Sequence, residues 1–132
     1  MDKVVLIVDD YPDLRDVIRD YFDLLHGVRV VTASNAKEGI SAFRGNLEIG
    51  VIICDRRMGG PGLDGEDLHC ALADEIRERA VHFVLLHADD GFELDYFNQV
   101  KDVTLVQKPL HDIDGFVGQI VQRLRPSPSG TV

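Results

Sequence analysis

The sequence predicts an α/β fold: a three-layer, doubly wound (βα)5 sandwich with a parallel sheet in its middle layer. Two observations carry this. Short apolar runs rich in β-branched residues alternate strictly with longer segments whose apolar residues recur at helical spacing. The runs Val4–Val8 and Val51–Cys54 are also apolar at every position, as strands covered on both faces must be.

Lys3 to Val8 is the first strand, and it stops at Asp9-Asp10. Pro12 suits the first turn of a helix, with Asp10 or Tyr11 at the cap and Asp13 favourable to the dipole. Leu14, Val17, Ile18, Tyr21, Phe22 and Leu25 form the stripe this helix is expected to bury, and Gly27 suits its left-handed end. Val28 to Ala33 is the second strand. Ser34 or Asn35 caps the second helix, which turns Ile40 and Phe43 inward and stops near Gly45. Ile49 to Cys54 is the third strand, and Asp55 follows it. After a glycine-rich loop, Glu66 to Ala80 is a helix with Leu68, Leu72 and Ile76 inward. Val81 to Leu86 is the fourth strand, Phe92 to Val100 a short helix, and Val103 to Val106 the fifth strand, which leads to Gln107-Lys108-Pro109. The last helix runs from about Asp112 to Leu124 on a stripe of Ile113, Phe116, Val117, Ile120, Val121 and Leu124. Right-handed crossovers leave few topologies, and the flavodoxin-like order 2-1-3-4-5 is the expectation.

Residues 1–125 are expected to form one domain, and 126–132 have the composition of a flexible tail or the start of a linker. The 23 acidic and 14 basic residues give a net charge of −9. No basic stripe exists to neutralise phosphates, so direct nucleic-acid binding is not expected, nor is attachment to an anionic membrane. Cys54 and Cys70 fit no metal spacing, and Cys54 reads as a buried reduced thiol. No apolar run reaches membrane-spanning length, and the expected location is cytoplasmic.

In the order 2-1-3-4-5, strands one and three flank the switch point, where open parallel sheets place their chemistry. Asp9, Asp10 and Asp55 would meet there. Two such charges about 4 Å apart repel by roughly 4 kcal/mol at an effective dielectric near 20. A divalent cation of the Mg²⁺ type, held by oxygens alone, would offset that. Lys108 ends strand five and can reach the same cavity. A metal-binding acidic cluster facing a lysine suits phosphoryl transfer. Singly, a strand-terminal aspartate or a Lys-Pro is usually a cap or a turn; all of them at one edge is a different matter.

This constellation resembles the receiver domain of bacterial two-component response regulators. The resemblance rests on Val8-Asp9-Asp10, on Asp55 with Met58 three residues on, on Asp64-Gly65 and on Lys108-Pro109. It implies that Asp55 accepts a phosphoryl group from a phosphohistidine on a sensor kinase or histidine phosphotransfer protein. Asp9, Asp10, Asp55 and the backbone carbonyl of Arg57 would hold Mg²⁺, with Asp9 acting directly or through water. Lys108 would pair with the phosphoryl oxygens, and the bond to Pro109 would be cis. An output domain in the same chain or a separate effector would read the state. The surface of helix four, strand five and helix five, the family's usual output face, carries Asp95, Lys101, Asp102, Asp112 and Asp114 here, and a homodimer could form through it.

The chain also departs from the family. His87 stands where a threonine or serine usually bonds the phosphoryl group; an imidazole can donate there or turn away. Leu105 occupies the position of the aromatic switch, so the usual hydroxyl–aromatic relay is not expected to operate. The loop after Asp55 is two residues longer than usual, with glycines at 59, 60 and 62 and the proline at Pro61. Arg57 and Asp89 stand where the family flanks the path of the dephosphorylating water, as a pair that slows hydrolysis or as two independent solvated charges. Two other readings compete. One is a pseudo-receiver, an unphosphorylated interaction module, favoured by His87 and Leu105. The other is an aspartyl-phosphate phosphohydrolase, disfavoured because Arg57 stands where a second acid is needed. Beyond its own phosphorylation and dephosphorylation, no enzyme activity is expected.

Overall fold

The computed structural model describes residues 3–58, 64–88, 95–100 and 102–124. Five strands, β1 (Val4–Val8), β2 (Val30–Ala33), β3 (Ile49–Asp55), β4 (His82–His87) and β5 (Val103–Gln107), form one parallel sheet in the order β2-β1-β3-β4-β5. This is the expected order. The helices are α1 (Pro12–His26), α2 (Ala36–Gly45), α3 (Gly65–Glu78), α4 (Asp95–Asn98) and α5 (Ile113–Leu124).

Successive strand residues point to opposite faces, so the sheet sorts its apolar side chains into two cores. Leu6, Val8, Ile52, Cys54, Phe83 and Leu85 pack with α2, α3 and α4 through Phe43, Leu68, Leu72, Ile76 and Phe97. Val5, Ile7, Val51, Ile53, Val84 and Leu86 pack with α1 and α5 through Ile18, Phe22, Val117, Ile120 and Val121. Every residue of β1 and of the run Val51–Cys54 in β3 is therefore in a core, which is why those runs are uninterrupted.

Helix ends follow local chemistry. Tyr11 caps α1 with Pro12 in the first turn, and Gly27 takes the left-handed position at the far end (φ 63°). Asn35 rather than Ser34 caps α2, its Oδ1 accepting the Glu38 N–H at 2.8 Å. Asp112 does the same for α5, accepting the Gly115 N–H at 2.9 Å. Arg79 ties the ends of α2 and α3 together: it donates to the carbonyls of Phe43 and Asn46 and lies 3.9 Å over the Phe43 ring.

Two expectations need correction. Val17 and Leu25 are exposed, as is Leu24, because the apolar stripe of α1 is wider than the footprint the sheet and α5 cover; Ile18 and Phe22 alone are fully buried. The fourth helix, expected over Phe92–Val100, ends two residues early at Asn98, and its expected first residues lie outside the described ones. The glycine-rich loop at 59–63 and Asp89 also lie outside them.

Candidate functional site

Register delivers the site. Val8 of β1 pairs with Cys54 of β3, so Asp9 and Asp55 each stand one residue past that pair. His87 pairs with Gln107, which places Lys108 one residue past the end of β5 at the same edge. Backbone bonds hold these ends: Asp9 N–H donates to the Ala33 carbonyl at 3.0 Å, Arg56 N–H to Leu86 at 2.9 Å and Lys108 N–H to His87 at 2.7 Å. The Lys108–Pro109 peptide is cis.

Asp9, Asp10 and Asp55 each offer a carboxylate oxygen, all within 4.8 Å of one another. Asp9 and Asp55 are buried and Asp10 is exposed. Lys108 Nζ lies 2.7 Å from Asp55 Oδ1. Asp9 Oδ1 accepts the Tyr11 N–H at 2.9 Å, whereas its buried Oδ2 has no partner. Such an orphan costs roughly 1–3 kcal/mol if it stays unpaired, more when charged. Burial raises the Asp9 carboxyl to about 6, and the charges of Asp55 and Asp10 push the same way against the Tyr11 bond and Lys108. Burial also raises Asp55, while Lys108 acts in the other direction. An unpartnered carboxylate oxygen beside two more oxygen donors, with open access past Asp10, fits a small hard divalent cation.

The α3 side is closely fitted. Gly65 N–H donates to the Arg56 carbonyl at 2.7 Å, and a Cβ on Gly65 would fall 3.2 Å from both Asp55 O and Arg56 Cα. Only glycine lets α3 start that close to the end of β3. Arg56, directly after Asp55, reaches Glu66 in the first turn of α3 at 2.8 Å.

The chain matches the model of the response regulator receiver domain over residues 5–123. It belongs to that family. Among curated proteins it is similar to the two-component response regulator PprB of Pseudomonas aeruginosa, 26% identical over 92% of this chain and 46% of that one. It is also similar to the C4-dicarboxylate transport transcriptional regulatory protein DctD of the same organism, 34% identical over 64% of this chain and 18% of that one. The receiver domain described here thus spans less than half the length of these relatives. Among solved structures, a response regulator receiver protein from Pseudomonas putida superposes with a TM-score of 0.79 at 25% identity, covering 93% of this chain and 98% of that one. The chemotaxis protein CheY4 of Vibrio cholerae has the same fold, with a TM-score of 0.77 at 20% identity over 95% of this chain and all of that one.

Within this receiver domain, the structure brings Asp9, Asp10, Asp55 and Lys108 together. His87 is buried at the end of β4, so its ring does not swing out into solvent. Leu105 is half-buried and packs against the α3-side core, in register with Leu85. Arg57 is exposed in the turn after β3. The sequence reading missed the Arg56–Glu66 pair and the burial of His69 between Phe83, Tyr96 and Phe97. The spacing of His69 one residue after Leu68 was the available signal, since it puts the ring beside the α3 stripe.

Proposed function

We propose that this receiver domain accepts a phosphoryl group on Asp55 from the phosphohistidine of a sensor kinase or histidine phosphotransfer protein. A carboxylate oxygen of Asp55 attacks phosphorus, the P–N bond breaks, and the histidine leaves with its electron pair. Asp9, Asp10, Asp55 and the carbonyl of Arg57 are the proposed Mg²⁺ ligands, and a cation held there would neutralise charge on the group in transit. Lys108 moves from Asp55 to a phosphoryl oxygen. The observation that supports this most is the Asp55–Lys108 contact at 2.7 Å beside the unpartnered buried oxygen of Asp9. A pure scaffold gains nothing from keeping such a cluster.

In this reading His87 serves as the donor to the phosphoryl group in place of a hydroxyl, and Leu105 carries no swinging ring. The signal passes to an output domain in the same chain or to a separate effector in the cytoplasm, with the α4–β5–α5 face as the surface for a partner or a second copy. The pseudo-receiver remains the second reading, because His87 and Leu105 replace the two relay residues. Acetyl phosphate with Mg²⁺ separates the two. The intact protein should gain the mass of one phosphoryl group and Asp55→Asn should not; wild-type protein that neither labels nor binds Mg²⁺ would establish the scaffold. Arg57 and Asp89 are proposed to pair across the water path, so Arg57→Ala and Asp89→Ala should each shorten the life of phospho-Asp55. Unchanged half-lives in both would leave them as independent surface charges.

A further inference from the structure

The end of β3 is tied to the start of α3 through Arg56 and Met58, the two neighbours of Arg57. The Arg56 carbonyl accepts the Gly65 N–H at 2.7 Å. The Arg56 guanidinium donates to Glu66 Oε2 from Nε at 3.1 Å and from Nη2 at 2.8 Å. The Met58 N–H donates to Asp64 Oδ1 at 3.2 Å, and Met58 itself is buried in the core that α3 covers. Arg56 is also fixed to β4, its N–H donating to the Leu86 carbonyl at 2.9 Å.

We propose that Asp64 and Glu66 are positioning residues that set the direction of the Arg57 carbonyl, the backbone oxygen assigned to Mg²⁺ above; the inference rests on that reading. The peptide bond carries the argument. The Arg57 carbonyl and the Met58 N–H belong to one planar trans unit and point opposite ways. Because the N–H is drawn to Asp64 at the start of α3, the carbonyl is aimed away from that helix. Glu66 fixes the preceding residue, so turning the unit about Arg56 costs the guanidinium bonds as well. Glycines at 59, 60 and 62 give the sequence after Met58 little backbone preference of its own, which leaves the ties to supply the direction.

Stability alone does not account for the Arg56–Glu66 pair. The two side chains are 13% and 26% exposed, so salt screens them little. Yet Glu66 Oε1 is buried without a hydrogen-bond partner, which is unfavourable for a carboxylate. A pair kept only to brace a loop would gain by turning that oxygen to solvent. Asp64 is held in turn: its N–H donates to Asp67 Oδ2 at 2.9 Å, one turn into α3. A shift of the first turn of α3 is therefore passed to the Arg57 carbonyl from both sides.

The test is Mg²⁺ titration of the full chain as wild type, Glu66→Gln, Arg56→Gln and Asp64→Ser. Gln keeps the shape of Glu66 without its charge; Ser keeps an N-cap at 64 but lacks the carboxylate that reaches Met58. Each variant should weaken the apparent Kd for Mg²⁺ about tenfold, and raise by the same factor the Mg²⁺ needed for half-maximal labelling by acetyl phosphate. The sign separates positioning from simple charge. Loss of the Arg56 charge alone would tighten Mg²⁺ binding, so weaker binding in both Arg56→Gln and Glu66→Gln is the signature of the tie. Amide exchange should speed up at Gly65 in Glu66→Gln and at Met58 in Asp64→Ser, and stay unchanged at Leu6 and Ile53. Wild-type protein that labels while the variants keep its Mg²⁺ affinity would overturn this inference and leave the phosphoacceptor reading standing. Opposite shifts in Arg56→Gln and Glu66→Gln, or equally faster exchange at Leu6 and Ile53, would also overturn it. Wild-type protein that neither labels nor binds Mg²⁺ would remove both.

Discussion

Burial moves the pKa values of Asp9 and His69 in opposite directions. For Asp9 the charged form is penalised, and its carboxyl rises to about 6. For His69, 5% exposed and ringed by Phe83, Tyr96 and Phe97, burial holds the pKa below 6.5. The unfolded chain therefore binds a proton at this histidine that the folded chain resists. Stability must then fall as pH drops through 6.5 toward the lowered folded value. His82 is shifted the same way and adds to the slope. Asp9, raised to about 6, takes up its proton in the folded state over the same range and opposes this, so the histidine contribution is read by comparison: between about pH 8 and about pH 5 the urea midpoint of the wild type should fall relative to that of His69→Phe. An equal slope in the variant would show that His69 does not contribute. The position of Asp55 was legible in the sequence because a β-branched run ended on it. The burial of His69 was not, because α4 supplies the other half of its surroundings and that element is weakly patterned.

At the scale of the element, the ends matter more than the middles. Gly65 opens α3 where a Cβ would meet Leu85 Cδ1 at 2.8 Å and the backbone of Arg56 and Asp55 at 3.2 Å. Side chains can shift, but this backbone carries Asp55, the proposed acceptor. Gly65→Ala is expected to cost about 1–3 kcal/mol in denaturant unfolding and to slow labelling of Asp55. A variant of wild-type stability would show that α3 can back away freely. Ala80 presents the reverse case. It holds φ 54°, a conformation costing a residue with a Cβ about 1–2 kcal/mol. The extra chain entropy of glycine offsets roughly 0.5–1 kcal/mol of that gain. Ala80→Gly should therefore stabilise the fold slightly, read as a higher melting temperature; a lower one would contradict it. The breadth of the α1 stripe shows the limit of periodicity. Val17 and Leu25 keep helical spacing with Ile18 and Phe22, but only contact with β1 and α5 decides which of the four is covered.

At the scale of the molecule, the sheet gathers charge from separate strands. The carboxyl edge concentrates three aspartates. A cation that binds the folded edge and not the unfolded chain stabilises the whole domain through mass action, by about 2.7 kcal/mol at a hundred times its Kd. In a domain of this size that is a rise of several degrees in Tm. Mg²⁺ should produce it in the wild type, and Asp9→Asn or Asp10→Asn should reduce it. A wild-type Tm indifferent to Mg²⁺ would remove the metal from the proposed chemistry.

By itself, the sequence determined the alternation of elements, the order of the sheet, and the acidic residues and lysine at its carboxyl edge. Each of these depends on local patterning: apolar runs set the strands, capping residues set the helix ends, and a parallel sheet sends all strand ends one way. Only the tertiary structure decided which apolar residues of α1 are covered, that His87 is buried, and that Gly65 seats α3 against Asp55. Those depend on distances between elements far apart in the chain, and burial at such contacts is set by the partner surface rather than by the residue's own neighbours in sequence.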